Sequence, residues 1–177
     1  MRKLLCVFLG IVLLSVGVGA ADYRHSLGFG AHYFKSLGDI KDEEGFDEDG
    51  LAYNVSYRVK LGLLSIEGML QLFPDGYYNA ETAFSPKLFL LVGSNLYGGV
   101  GVFSNYVKWR ENEALGIESG SEWTDPAYQL RAGLELELIM DLLSIDINAN
   151  YIFIEWNEVE EFNEDELQFG AGLRLYL

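Results

Sequence analysis

The sequence predicts an all-β protein whose fold class is an eight-stranded antiparallel up-and-down β-barrel. Eight segments alternate apolar and polar residues with a period of two, the pattern of a strand whose two faces meet different surroundings. The connections between these segments are alternately long and short, as expected for successive hairpins. Eight strands are enough to close a sheet that leaves no open edge. The segments are 24–35, 51–60, 64–73, 86–92, 96–109, 128–138, 143–153 and 166–177.

The first two strands each have one clearly apolar face. That face is Leu27, Phe29, Ala31 and Tyr33 in strand one, and Leu51, Tyr53, Val55, Tyr57 and Val59 in strand two. The segment 36–50 between them is rich in aspartate, glutamate and glycine. Such a composition predicts a solvated loop that contributes nothing to a core.

Strands three to five follow a very short connection near residues 61–63. Strand three places its apolar residues on one face and Glu67 and Gln71 on the other. Pro74-Asp75-Gly76 opens a loop that we expect to run to about Ser85, because proline and glycine favour a turn and would disrupt a central strand. Strand four is therefore expected to begin at Pro86. A tight turn at residues 93–95 leads into strand five.

The last three strands complete the alternation. A long loop over residues 110–125 precedes strand six, and a short connection at 140–142 joins it to strand seven. An acidic loop over 155–165 leads to the closing strand, 166–177, whose apolar face ends at Leu177. The segments therefore form successive hairpins, with the long and the short connections at opposite ends of the predicted barrel.

Composition excludes several classes of protein. The chain has 177 residues, of which 50% are hydrophobic and 14% aromatic, too apolar for a disordered protein and of a size for one domain. Its formal net charge of −15 makes nucleic acid an improbable partner. The one cysteine, Cys6, lies near the N-terminus, so no disulfide is expected in the folded domain.

The N-terminus has the pattern of a cleaved signal peptide. Arg2 and Lys3 precede an apolar run over residues 4–18, and small residues then offer a cleavage point near Ala20 or Ala21. We therefore expect residues 1–21 to be a signal peptide and 22–177 to be the barrel domain. Loss of Arg2 and Lys3 would leave 10 basic against 27 acidic residues, a formal charge of about −17.

Alternation alone fits two barrels: a membrane barrel with its apolar face outward, and a soluble secreted barrel of lipocalin type with that face inward. Strands of roughly 9 to 14 residues match the length that crosses a bilayer when tilted. The regular exchange of long loops and short turns is typical of barrels whose termini are both periplasmic. The polar face is largely glycine, serine and asparagine, as a narrow interior requires. These features favour the transmembrane barrel.

The closing strand and the glycine-rich segment Tyr97 to Phe103 resemble the small bacterial outer-membrane β-barrel superfamily, which includes outer membrane proteins A, X and W and the opacity-type surface antigens. In that superfamily the terminal residue is usually aromatic, whereas here Tyr176 precedes a final Leu177. The resemblance implies an outer-membrane location. It implies no specific activity.

Two sets of inward-phase residues are candidate sites. Charged side chains are expected to form a structural ion-pair plug in the lumen, with a gated ion or proton path as the alternative. They are Arg58, Lys60, Glu67, Arg131, Glu135, Glu137, Asp146 and Arg174. Apolar side chains near the long-loop ends form a candidate cup, resembling the hydrophobic-ligand channels of the outer membrane protein W family. They are Phe34, Phe73, Phe103, Val107, Ile152 and Ile154. Alternatively, a β-bulge turns these apolar residues outward or they pack under the loops.

Catalysis has little support. His25 and Ser26 are adjacent and so face opposite sides of a strand, while His32 lies alone on the inward phase. No catalytic residue, metal site or cofactor is therefore predicted, and a lipid-modifying enzyme is a distant alternative.

The predicted function is that of an integral outer-membrane barrel with a structural or surface-interaction role through its acidic loops. A narrow channel or a binding cup for small hydrophobic molecules is the alternative. The expected partners are outer-membrane lipid and lipopolysaccharide, and the barrel-assembly machinery through the C-terminal strand. Asp47-Glu48-Asp49 and residues 158–166 are candidate sites for Ca²⁺ or Mg²⁺. The barrel is expected to be a monomer.

Overall fold

The computed structural model describes residues 23–36, 49–74, 80–109, 111, 119–153 and 166–177. These residues form ten β-strands. They are β1 (Tyr23–Ser36), β2 (Asp49–Leu61), β3 (Leu64–Phe73), β4 (Ala80–Gly93), β5 (Leu96–Phe103), β6 (Tyr106–Trp109), β7 (Gly120–Trp123), β8 (Ala127–Ile139), β9 (Leu143–Phe153) and β10 (Glu166–Tyr176). In this part of the chain no helix is long and apolar enough to cross a membrane.

The sheet closes into a barrel of eight antiparallel strands. Neighbours in the ring are β1, β2, β3, β4, β5, β8, β9 and β10, and β10 pairs back onto β1 from Ser26↔Tyr176 to Ser36↔Glu166. Beyond the end of β5, β6 pairs with the remaining part of β4. β7, which precedes β8 in the chain, pairs with β6 outside the ring. This closed antiparallel barrel confirms the predicted fold class.

Three short turns connect strands at one end of the barrel, which we call the turn end; the other is the loop end. Gly62, Gly93 and Asp141 adopt positive φ angles of 64°, 133° and 57°. Glycine adopts such angles without a steric penalty. The turn at Asp141 is stabilised by a hydrogen bond, because the backbone N–H of Asp141 donates to Glu137 Oε1 over 2.6 Å.

Strand β4 begins earlier than predicted. It starts at Ala80, so Pro86 lies inside the strand and the predicted loop to Ser85 is too long. Proline is tolerated there because the ladder on one side of β4 is interrupted: β5 ends at Phe103 and β6 starts at Tyr106. The missing N–H of Pro86 falls opposite that interruption, where no ladder bond is lost.

The loop predicted over residues 110–125 also contains regular structure. Residues 120–123 form β7, which pairs in register with β6 from Tyr106↔Trp123 to Trp109↔Gly120. The strand predicted over 96–109 is correspondingly divided into β5 and β6. The resulting hairpin extends one side of the barrel beyond the closed ring. Three aromatic rings meet there: Phe84 stacks on Tyr106 at 4.9 Å between centroids, and Trp123 lies edge-on to Phe84 at 5.7 Å.

The two faces of the barrel wall have opposite chemistry. Outward-facing apolar side chains are exposed all around the ring, for example Phe29 at 57% and Leu173 at 50%. Inward-facing polar and charged side chains are buried, and Glu67 has no exposed surface at all. The polar face therefore fills the interior, as the alternation predicted.

Candidate functional site: the barrel lumen

Small residues on the inward face make room for large ones opposite. Gly133 has no side chain, and a Cβ placed there would fall on the ring of Tyr97. Gly170 is related in the same way to the ring of His32. Because an eight-stranded barrel is narrow, each large inward side chain needs such a gap on a facing or neighbouring strand. The glycines of the polar face therefore shape the lumen.

Arg58 is the centre of a buried charge network near the turn end. Its Nε and Nη2 donate to Glu67 Oε2 over 2.9 and 2.7 Å. Its Nη1 donates to Glu135 Oε2 over 3.1 Å, and Nη2 also reaches Asp146 Oδ2 at 3.0 Å. A single guanidinium thus binds carboxylates from β3, β8 and β9, and its planar fork suits such multiple contacts.

Glu67 joins two further arginines to this network. Arg174 Nη2 donates to Glu67 Oε1 over 2.9 Å, and Arg131 Nη1 lies 3.5 Å from Glu67 Oε2. Three guanidinium groups therefore meet three carboxylates in the described part of the lumen. We call Arg58, Arg131, Arg174, Glu67, Glu135 and Asp146 the central network. This balance of charge offsets the cost of burying each ion.

Aromatic and hydroxyl groups complete the central network. Tyr97 O–H donates to Asp146 Oδ1 over 2.7 Å, and its ring lies 4.6 Å from Arg58 Cζ. Arg131 Cζ lies 3.7 Å from the centroid of Phe89, a close cation–π contact. On the other side, Tyr176 O–H is hydrogen-bonded to Glu135. Tyr97 and Phe89 were not among the predicted site residues, although both lie on the inward phase of their strands.

Two of the expected lumen charges lie outside the central network. Glu137 is exposed and accepts the N–H of Asp141 in the turn, while Lys60 is half-buried and donates weakly to the Ser94 carbonyl oxygen over 3.5 Å. Both belong to the turn end, where solvent competes for them. Arg174 lies deeper than these two, with Glu67 at 2.9 Å and Asp146 at 3.6 Å from its guanidinium.

The central network links strands on different sides of the barrel. Its ion pairs join β2 to β3, β8 and β9, and β3 to β10. A cavity of about 20 Å³ lies beside it, lined in part by His32, Asn54 and Asn148. That volume holds about one water molecule. An ion crossing the lumen would have to break the network.

His32 is hydrogen-bonded on both ring nitrogens. Asn54 Nδ2 donates to Nδ1 over 3.0 Å, and Nε2 lies 2.9 Å from Asn148 Oδ1. This pattern suits a neutral ring with its proton on Nε2. His25 contacts the Tyr57 hydroxyl at 2.6 Å on the exposed side, whereas Ser26 Oγ is bound by Arg174 in the lumen. The described residues bring no serine and histidine together as a nucleophile and base.

The loop half of the lumen is apolar at its rim. Phe34, Phe103, Val107 and Ile152 are buried on the inward side, and Phe73 is partly buried with its ring edge against Phe34. Ile154, the sixth residue of the candidate cup, lies outside the described residues. No β-bulge turns these five side chains toward the outer surface.

A layer of amides and one lysine lies between this rim and the central network. Lys87 is only 5% exposed, and its Nζ lies 3.4 Å from Gln129 Oε1 and 3.5 Å from Gln168 Oε1. Gln71 is fully buried on the neighbouring strand. None of these four residues was among the predicted site residues. The inward phase of Lys87 on a strand of apolar residues was the signal that could have revealed it.

Among the described residues, no group of three or more histidine, cysteine, aspartate or glutamate side chains is arranged to hold a metal ion. The acidic segments considered for Ca²⁺ or Mg²⁺ lie outside the described residues, except for the strand ends at Asp49 and Glu166.

Comparison with known proteins gives structural matches only. No protein-family model and no curated protein sequence matches the chain. Neisserial surface protein A superposes with a TM-score of 0.59 at 14% identity, covering 89% of this chain and 98% of that protein. The N-terminal β-barrel domain of Pseudomonas aeruginosa OprF gives 0.55 at 10% identity, covering 88% and 100%. The chain therefore has the fold of the small eight-stranded outer-membrane β-barrels.

Proposed function

We propose that the chain is an integral outer-membrane β-barrel that holds its acidic loops at the cell surface for a structural or surface-interaction role. The observation that carries this proposal is the distribution of side chains: charged groups are buried inside the barrel, and large apolar side chains are exposed on its outer face. A soluble protein rarely exposes apolar patches larger than a few hundred Å². A bilayer removes that surface from water, and the closed sheet leaves no strand edge unpaired in lipid.

Both termini are proposed to lie on the periplasmic side. The supporting observation is that β1 begins and β10 ends at the turn end, next to the three short turns. In barrels of this type the short turns are periplasmic and the long loops extracellular. The acidic segments 37–48 and 154–165 would then face the exterior, where charge keeps neighbouring proteins and lipopolysaccharide apart or binds bridging cations.

Single-cysteine labelling tests location and orientation together. Ser94→Cys marks the turn end and Glu43→Cys the acidic segment 37–48; Cys6 is the chain's only natural cysteine. On intact cells an impermeant maleimide should label Glu43→Cys but not Ser94→Cys, and both after permeabilisation. Labelling of Ser94→Cys alone on intact cells would reverse the orientation, and recovery of the protein in the soluble fraction would refute the membrane assignment.

The second candidate function is a binding cup for small hydrophobic molecules. The supporting observation is the inward, buried position of Phe34, Phe73, Phe103, Val107 and Ile152, directly above the polar layer. The central network below them favours a closed cup over a through-channel. In planar bilayers we therefore expect no steady conductance from the wild-type protein. Reproducible open channels would favour the channel instead.

The proposed partners follow from the same placement. Lipid and lipopolysaccharide would contact the outer apolar face, and the barrel-assembly machinery would bind β10, the closing strand. We propose a monomer, because the eight-stranded ring is closed by the pairing of β10 with β1 and needs no second copy to complete it.

A further inference from the structure

The layer between the apolar cup and the central network has unusual hydrogen bonding. We call Gln71, Lys87, Gln129 and Gln168 the polar layer. Lys87 extends from β4 across the lumen to amides on β8 and β10. Gln71 lies on β3, one step along the ladder from Lys87, because Met69 pairs with Lys87 and Gln71 with Ser85. The layer therefore draws on four strands and crosses the barrel.

Two amides of the polar layer have open donors. Gln71 is 0% exposed, and neither its Nε2 nor its Oε1 has a hydrogen-bond partner. Gln129 is 1% exposed; its Oε1 faces Lys87 Nζ, but its Nε2 has no partner. A buried amide left in this state costs roughly 1 to 3 kcal/mol. The Gln129 amide lies 3.4 Å from the buried Lys87 Nζ through its Oε1, and Gln71 is on the strand that pairs with that of Lys87, so the layer is rich in donors.

Residues of the polar layer are direct ladder partners of residues of the apolar cup. Lys87 pairs with Phe103, Gln129 with Ile152 and Gln168 with Phe34 in the strand ladders. The Phe103 ring is 4.6 Å from Lys87 Nζ. Gln71 is two residues before Phe73 on the same face of β3. Each polar group thus has an apolar neighbour toward the loop end.

We propose that the lumen binds a single-chain amphiphile whose carboxylate head lies in the polar layer and whose tail lies in the apolar cup. This inference rests on the second proposed function and identifies its ligand class. A carboxylate only accepts hydrogen bonds, so it matches the open NH₂ groups of Gln71 and Gln129. The charge of Lys87 favours an anion, and the surrounding rings suit an alkyl chain.

The test uses full-length chain expressed in cells and purified from the membrane fraction into lipid nanodiscs. Side-chain amide NMR signals of Gln71 and Gln129 report on the layer directly. Titration with decanoate should shift both signals saturably, whereas decanol and acetate should each bind at least about tenfold more weakly, since each lacks one half of the match. Equal shifts with decanol would refute the carboxylate head, and equal shifts with acetate would refute the amphiphile.

Variants separate binding from folding. Gln71→Met and Gln129→Met remove the open donors with little change in volume, so each should weaken decanoate binding roughly tenfold or more, the value of one hydrogen bond to a charged group. Gln71→Met should also leave the empty protein at least as stable as wild type, because neither polar atom of Gln71 has a partner. Gln129→Met also removes the acceptor that faces Lys87, so some loss of stability is expected there. A purely structural role for Gln71 would instead make Gln71→Met less stable than wild type. Thr82→Val, on the exposed face of β4, is the matched control and should bind normally.

The outcomes also distinguish this inference from those on which it rests. If decanol and decanoate bind equally, the cup stands and the carboxylate site does not. If neither shifts the Gln71 and Gln129 signals, both the cup and the carboxylate site are refuted. The membrane-barrel proposal is tested separately by fractionation and cysteine labelling.

Discussion

Replacing Glu67 with glutamine should strongly destabilise the barrel. Glu67 is fully buried and accepts two hydrogen bonds from Arg58 and one from Arg174, at 2.7 to 2.9 Å. Glu67→Gln keeps the shape but leaves three guanidinium groups facing two carboxylates in the central network. Breaking a buried ion pair by removing one partner costs about 3 to 5 kcal/mol, so we expect a loss of about 4 kcal/mol in the free energy of unfolding.

The measurement is urea unfolding of the protein in lipid vesicles, followed by tryptophan fluorescence and by the gel shift between folded and unfolded forms. Glu137→Gln is the matched control. Glu137 is exposed and bonded only to the Asp141 backbone among the described residues, so its loss should cost no more than about 1 kcal/mol. Equal losses in the two variants, or a Glu67→Gln loss below about 1 kcal/mol, would refute the claim that the network stabilises the barrel.

The remaining predictions concern the lumen, the outer face and the closing strand. Gly133→Ala should lower the free energy of unfolding by about 1 to 3 kcal/mol in the same assay, because the added Cβ would displace the Tyr97 ring. Gly68→Ala is the control and should be nearly neutral, because no atom lies within 4 Å of its added Cβ. Similar losses in the two variants would contradict the packing argument. Leu173→Arg should destabilise the inserted barrel by about 2 to 4 kcal/mol if this position lies near the bilayer midplane, and an unchanged value would argue against lipid on that face. Leu177→Asp should reduce assembled protein, scored by the gel shift, far more than Glu118→Lys in the segment that the sequence predicts to be a loop. Normal assembly of Leu177→Asp would show that the closing strand needs no apolar end.

Much of the fold was predictable because strand alternation is a local property. Each side chain points to the opposite face from its neighbour, so the inward position of Glu67, Arg131 and Asp146 follows from counting by two. The same counting identified the apolar cup residues. The positions of the short turns could also be predicted, since each falls where only two or three residues separate two consecutive alternating segments.

The errors occurred where local signals conflict with the partner strand. Pro86 was expected to start β4, yet the strand runs past it because the ladder opposite is already interrupted between β5 and β6. Residues 120–123 have little strand character of their own, and they form β7 because β6 extends beyond the ring and offers a ladder. Neither fact is visible without the neighbouring strand.

The sequence by itself determined the closing strand 166–177, the hairpin order and which residues face inward. Only the tertiary structure decided which inward groups meet. Arg174 binds Glu67, 107 residues away, and Lys87 reaches Gln129 and Gln168 on two other strands. The physical reason is that facing is set by the two-residue repeat within each strand, whereas contact across the lumen depends on how the strands tilt and stagger when the barrel closes.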